Sequence, residues 1–314
     1  MNTLRYQHLV DQSATIQWSD GALPQLVPDT IAAQPPPGGD LFQPGQLVDG
    51  KYEIRSLLGA GGMGQVYEAR DRGLNRLVAI KAAWPTVGPG PLRREAQVLA
   101  AFRQSSLVMV HELGTHEGIE FLVMERLSGT TMAEHLASRK SPALPFAECV
   151  DLMIALCDAL EPLHQSGLAH ADLKPPNIML VPGGRVVLLD FGIARIEQLR
   201  AGAQRITGSP HYMAPEAIRG AVRVGESHLV DLYALGVIGY VMLVGAAPYD
   251  HTNPVELMML HLHEAAPRVG ARRVDAPAAL DRLINELLSK DPTERPAGVD
   301  VVRAELRRIR ATLT

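Results

Sequence analysis

Cysteine is scarce in this sequence: Cys149 and Cys157 are the only two among 314 residues. They fall eight residues apart in a helical pattern, which separates them by about 12 Å at the helical rise. A disulfide needs Cα atoms within roughly 7 Å, so these two cannot bridge one another on one helix. A disulfide scaffold is excluded, and a reducing, cytoplasmic setting is the expectation. Charge of one sign is also lacking. The formal net charge of −4 gives no reason to expect nucleic acid or a membrane surface as the main partner. No long hydrophobic run occurs. The longest, Ala234–Gly245, falls short of the ~20 apolar residues that span a bilayer and follows Asp231, so it is expected as a buried core helix. Met1–Tyr6 lacks the apolar stretch of a secretory signal. What is present is a globular balance of 46% apolar and 20% charged residues, long enough for one large domain or two lobes.

Residues 1–46 carry no sustained hydrophobic period and include the breaker cluster Pro35-Pro36-Pro37-Gly38-Gly39. They are expected to form a flexible or loosely docked extension, with Trp18, Leu41 and Phe42 as the residues able to dock. Thr3, Ser13, Thr15, Ser19 and Thr30 give this extension hydroxyls that could be phosphorylated by the chain itself. From Lys51 the pattern changes. Tyr52–Leu58 reads as a strand, and Gly59, Gly61 and Gly64 then fit G-x-G-x-x-G. That motif alone is weak. A dinucleotide-binding turn opens into a helix, whereas Gln65–Arg70 alternates like a strand. The glycines therefore mark a hairpin tip, where backbone N–H groups can face phosphate oxygens.

A third strand, Leu77–Lys81, places a lysine at the end of an apolar run, and lysine is seldom buried without a partner. A helix is expected over Pro91–Phe102, started by Pro91. Its Glu95 either faces inward to pair with Lys81 or belongs to a solvated face; the helix pattern fits both. Strands over Ser106–Leu113 and Glu120–Glu125 complete a small, mainly antiparallel lobe. After Gly129 the chain reads as mostly helical, with a long apolar period over 146–165. His261 and His263 lack further ligand spacing and make a poor metal site. Arg303, Arg307, Arg308 and Arg310 read as the wet face of a terminal helix.

The most informative stretch is His170-Ala171-Asp172-Leu173-Lys174-Pro175-Pro176-Asn177. It gathers a carboxylate, an ammonium and a carboxamide on a backbone restrained by two prolines. Turn chemistry alone would also use Asp, Asn and Pro. Further on, the apolar run Val186–Leu189 delivers a second carboxylate in Asp190-Phe191-Gly192. A rigid polar loop beside a strand-end carboxylate suits metal-assisted phosphate chemistry.

Taken together these residues resemble the signature set of a eukaryotic-like serine/threonine protein kinase domain of the bacterial type. The match runs over about residues 52–300. It includes Gly59-x-Gly61-x-x-Gly64-x-Val66, Val78-Ala79-Ile80-Lys81, Glu95, His170-x-Asp172-Leu173-Lys174-x-x-Asn177, Asp190-Phe191-Gly192, Ala214-Pro215-Glu216, Asp231 and Arg295. The resemblance implies an α+β, two-lobe fold. Its N-lobe, about 47–127, would be an antiparallel sheet with one main helix, and its larger C-lobe, about 128–314, mainly helical. It implies that Gly59, Ala60, Gly61 and Gly64 cover the phosphates of ATP and that Lys81, held by Glu95, grips the α- and β-phosphates. Asn177 and Asp190 would carry Mg²⁺, with Mn²⁺ as an alternative. Asp172 would accept the proton of a substrate hydroxyl, and Lys174 would sit beside the transferred phosphoryl group. Val66, Ala79 and Met179 match the adenine walls, Met124 the gatekeeper, and Glu125 and Leu127 the hinge. Ser209 matches the small hydroxyl residue of Ser/Thr kinases, and Glu216 with Arg295 matches a structural ion pair.

Three departures stand out. Ala171 replaces the arginine that in many members binds a phosphorylated activation loop. The stretch Ile193–Ile206 contains no Ser, Thr or Tyr. Activity is therefore expected without activation-loop phosphorylation. The interval from Lys81 to Glu95 is short, so that helix should be trimmed at its start. Pro176 replaces a residue that is usually polar, with little expected consequence. The expected function is ATP-dependent phosphorylation of Ser/Thr hydroxyls on protein substrates, with no nucleic acid and no membrane span in this chain. A pseudokinase or nucleotide-binding scaffold is the rival, and all charged catalytic positions being filled argues against it. A small-molecule phosphotransferase shares the loop but not the Gly-rich hairpin with the Ser209–Glu216 segment.

Overall fold

A computed structural model describes residues 14–17, 25–26, 39–87, 90–102, 104–192 and 205–313. Thr3, Ser13, Ser19 and Thr30, with Trp18 and residues 193–204, lie outside the described residues. The chain forms two compact units, one of residues 28–128, the other of residues 1–27 with 129–314. In chain order the strands begin with two of the second unit, β1 (Ala14–Gln17) and β2 (Gln25–Leu26).

The unit of residues 28–128 is built on a sheet of β3 (Leu47–Val48), β4 (Tyr52–Gly61), β5 (Gly64–Asp71), β6 (Arg76–Ala83), β7 (Val110–His116) and β8 (Ile119–Glu125). The strand order is β3-β4-β5-β6-β8-β7, and every pairing is antiparallel. The strand expected at 106–113 instead runs from Val110 to His116. Glu117 and Gly118 both have positive φ (50° and 81°), and His116 pairs with Ile119, so a two-residue hairpin sets the strand's end.

Strand alternation splits this sheet into two differently used faces. Val78, Ile80 and Ala82 point to one core with Tyr52, Ile54, Tyr67, Phe121 and Val123. Phe42 closes that core. It is fully buried, with ring centroids 5.7 Å from Tyr67 and 5.9 Å from His116. Its amide donates to the Tyr67 hydroxyl, and the Leu41 amide donates to the buried Gln65. The extension preceding the sheet is thus anchored at residues 41–42, and burying one such ring is worth about 1.5–3 kcal/mol.

On the other face lies α1 (Pro91–Ala101). Pro91 occupies its first turn, and Leu92, Glu95, Ala96 and Leu99 are its buried residues. That spacing is one helical stripe, and it carries Glu95 inward among apolar neighbours. Leu92 and Ala96 pack with Ala83 and Leu122.

The second unit holds α2 (Met132–Ala137), α3 (Phe146–Gln165), α4 (Pro215–Ile218), α5 (His228–Val244), α6 (Pro254–His263), α7 (Val269–Arg272), α8 (Ala278–Leu287) and α9 (Val299–Thr312). Residues Leu229–Leu243 of α5 are buried without exception, as the apolar run requires of a helix surrounded by others. Among the described residues no helix is long and apolar enough to cross a membrane. The basic stripe of α9 is partly engaged rather than simply wet: Arg303 reaches Asp158 and Glu161, and Arg310 reaches Asp151, all on α3. Cys149 and Cys157 are free and buried in α3, where burial pushes the Cys157 thiol up to about 12. Two small sheets complete the unit. One has the order β11-β10-β9, from β9 (Thr130–Thr131), β10 (Ile178–Val181) and β11 (Arg185–Leu188); the other has the order β12-β1-β2, with β12 at Arg205–Gly208.

Candidate active site

In the unit of residues 28–128, Gly59, Ala60 and Gly61 end β4 and pair with Val66, Gln65 and Gly64 of β5. The hairpin is irregular, with register shifts between Ile54 and Ser56 and between Leu57 and Gly59. Gly64 has φ +154°, and a Cβ there would lie 1.9 Å from the Ala82 carbonyl oxygen. No other residue fits where β5 crosses β6. Trp84, at the end of β6, is buried; its indole Nε1 donates to the Gly61 carbonyl and its amide to the Met63 carbonyl. The glycine tip is thereby strapped to the chain that leads into α1. No sequence pattern gives Trp84 a part in the site; its signal is a lone large aromatic at the edge of a Pro/Gly stretch.

Lys81 lies opposite Val66 on one side and Leu122 on the other. Its Nζ donates to both Glu95 oxygens, at 2.9 and 2.8 Å, with each side chain only 6% exposed. A buried ammonium and carboxylate in such contact compensate one another's charge and hold the Lys81 nitrogen in one place on an otherwise apolar face. Ala79 is buried and lies opposite Met124; Glu125 lies opposite Val78. The amide of Glu125 donates to Met109, and its carboxylate accepts from the Met109 amide. Leu127 is buried, its carbonyl accepting from Arg126, which also pairs with Glu68.

In the second unit the loop 170–177 is held from beneath by Asp231, which is fully buried in α5. Its carboxylate accepts from the amides of His170 (2.7 Å) and Ala171 (2.9 Å) and contacts His164 Nε2 at 2.9 Å. Burial alone would raise its pKa, but the His164 contact and the His170 amide outweigh that and hold it below the usual carboxylate value. Ala171 takes a positive φ of 60°, and Asp190 one of 51°. His170 is buried, which lowers its pKa and keeps it neutral; it bonds the Leu189 carbonyl and packs 4.8 Å from the Phe191 ring. The His170 carbonyl accepts from the Gly192 amide. The loop and the Asp190-Phe191-Gly192 turn are therefore fastened together by backbone.

Asn177 sits in the short 3₁₀ turn Pro175–Asn177. Its Nδ2 donates to the Asp172 carbonyl (2.9 Å) and to Asp172 Oδ2 (3.1 Å). With the amide nitrogen so committed, the Asn177 Oδ1 is the atom left to act as an acceptor. Lys174 Nζ lies 3.3 Å from Asp172 Oδ2 and donates to Ser209 Oγ at 2.9 Å. Met179 lies in β10 opposite Val187 and Thr131. Among the described residues no group of three or more His, Cys, Asp or Glu could hold a metal ion. Asn177 and Asp190 carry oxygen donors of the type that hard divalent cations take. Arg295, buried at α9's approach, makes two bonds to Glu216, at 2.6 and 2.8 Å, and lies over the Tyr233 ring.

Residues 52–306 match the protein kinase domain family. The chain is 34% identical over 283 residues to the serine/threonine-protein kinase pkn3 of Myxococcus xanthus, covering 84% of this chain and 51% of that protein. It is 30% identical to PrkC of Bacillus subtilis, covering 84% of this chain and 41% of that one. Against PknB of Mycobacterium tuberculosis the identity is 32%, over 85% of this chain and 44% of the other. The chain thus spans about half, or less, of these relatives' length. The crystal structure of the Mycobacterium tuberculosis PknI kinase domain superimposes with a TM-score of 0.66 at 27% identity, covering 85% of this chain and 99% of that one.

Proposed function

The chain belongs to the protein kinase family, in its bacterial serine/threonine group, and on that premise we propose that it transfers the γ-phosphoryl group of ATP to Ser/Thr hydroxyls of proteins. The observation that carries this reading is the arrangement around Asp172. Its carboxylate is oriented by the Asn177 amide and flanked by the Lys174 ammonium, which also holds Ser209. A carboxylate so fixed can take the proton of an incoming alcohol, and the lysine can offset charge on the group in transit. Lys81, fixed by Glu95, is suited to gripping the α- and β-phosphates of ATP. The Gly59–Gly64 hairpin offers amides to those phosphates, and Val66, Ala79, Met124, Glu125, Leu127 and Met179 serve the adenine. Asn177 and Asp190 would hold Mg²⁺, or Mn²⁺, which when bound neutralises phosphate charge.

The finer reading is that this activity needs no phosphate on the activation segment. Ala171 offers no guanidinium to receive one, and Ile193–Ile206 offers no acceptor. Autophosphorylation in residues 1–46 and a cytoplasmic setting belong to the same proposal; the two free, buried cysteines support the latter. The test is incorporation of labelled phosphate from Mg-ATP into casein, expected for the unaltered chain and lost in Asp172→Asn. Equal labelling by that variant would overturn the assignment. Prior phosphatase treatment should leave the rate unchanged, and abolition of activity by it would sink the finer reading.

A further inference from the structure

Strand β1 lies between β12 and β2. It runs antiparallel to β12 through consecutive pairs: Ala14 with Gly208, Thr15 with Thr207, Ile16 with Ile206 and Gln17 with Arg205. On its other side Ile16 pairs with Leu26 and Gln17 with Gln25. β12 leads directly into Ser209, whose Oγ accepts from Lys174 Nζ at 2.9 Å, and that nitrogen lies 3.3 Å from Asp172 Oδ2. The backbone edge that β1 covers is therefore continuous with the residue seated on the catalytic loop's lysine. The usual alternative hold lacks its arginine receptor, since position 171 is alanine, and residues 193–206 carry no hydroxyl; the first is that of Thr207, within β12 itself.

We propose that the edge of β12 is a docking surface for this chain's own N-terminal strand, and that β1 holds the stretch entering Ser209 in the place of a phosphate clamp. The inference rests on the kinase reading above. Main-chain hydrogen bonds carry such strand addition, so it needs neither a charged receptor nor a modified side chain. Ordering is assigned rather than blockade because the pairing coexists with the Lys174–Ser209 bond and with the Lys174–Asp172 contact. Docking and an assembled catalytic loop occur together.

The test is the double variant Thr15→Pro/Ile16→Pro in the full chain. Successive strand residues turn their N–H groups to opposite edges, so one proline removes a donor toward β12 and the other a donor toward β2. Amide exchange at residues 205–208 should be slow in the unaltered chain and fast in the variant. The variant's kcat/KM for casein should fall roughly tenfold or more, with the KM for ATP within about twofold. A synthetic peptide of residues 12–28 added to the variant should restore much of the loss, which a general folding defect would not permit. Fast exchange at 205–208 in the unaltered chain, unchanged casein phosphorylation, or loss without peptide rescue would overturn the inference. A rise in casein phosphorylation would do so too, by making β1 a blocking strand. If the unaltered chain labels no protein at all, the kinase reading itself falls, an outcome distinct from each of these.

Discussion

The indole nitrogen of Trp84 donates a 2.9 Å hydrogen bond to the carbonyl of Gly61, the last residue of the strand that forms the glycine-rich hairpin. With the Trp84 amide on the Met63 carbonyl at 3.1 Å, one residue fixes both sides of the tip. Trp84→Phe keeps most of the ring and removes the donor. A lost hydrogen bond of this kind is worth about 0.5–1.5 kcal/mol, so the KM for ATP should rise by about threefold to tenfold. The KM for a protein substrate should change little, and the melting temperature should fall by no more than a few degrees. Steady-state kinetics with ATP and substrate varied separately checks this.

Glu216→Ala should be among the most damaging single changes in the helical unit. Arg295 has no exposed side-chain surface and loses both carboxylate contacts. Stranding a buried charge costs about 3–5 kcal/mol. The double variant Glu216→Met/Arg295→Met should recover a large part of it. Urea denaturation of the two variants compares them.

Phe42→Ala should lower the unfolding free energy by about 3 kcal/mol, in the range for a fully buried ring. Lys81 lies on the opposite sheet face, so ATP affinity should be retained below the transition. Denaturation followed by nucleotide titration separates the two effects.

Lys290 gives a pH signature. Burial first, then the charges of Arg295 and Arg219, lower its pKa from 10.5 to about 8. Between those values the unfolded chain holds a proton that the folded chain has released, so this residue's contribution to stability increases with pH across that window. Below pH 8 both states are protonated and the penalty is fully present. Lys290→Met should flatten the rise between pH 8 and 10.5, as read from melting temperatures across that range.

Much of this could be read from sequence because the informative residues sit on regular elements. The pattern from Pro91 to Phe102 predicts the helix that carries Glu95 without deciding which way that side chain faces, and the apolar run before Lys81 predicts the strand that carries it. The sequence left the partner of Lys81 open, and packing decides it: once α1 buries its stripe against Ala83 and Leu122, Glu95 has no solvent to face. The misses share another cause. Trp84 and β1 each act through a contact with a distant stretch, and neither carries a local period; Phe42 is among the residues expected to dock, but its seat beside Tyr67 carries no local signal either. A strand of four residues, Ala14–Gln17, is paired along its whole length only by Arg205–Gly208, nearly two hundred positions away. The strand boundary near residue 110 moved because a two-residue turn at Glu117-Gly118 overrides the upstream apolar run.

The seat of Phe42 bears on how this protein can be shortened. The family match begins at residue 52, ten positions after that ring. A fragment cut at that boundary would leave Ile54, Tyr67, Ile80, Phe121 and Val123 facing water, and would strip β3 from beside β4. An uncovered apolar patch beside an unpaired strand edge invites chains to stick to one another. Fragments that start before Leu41 should purify as dispersed single species, and those that start at Tyr52 should precipitate.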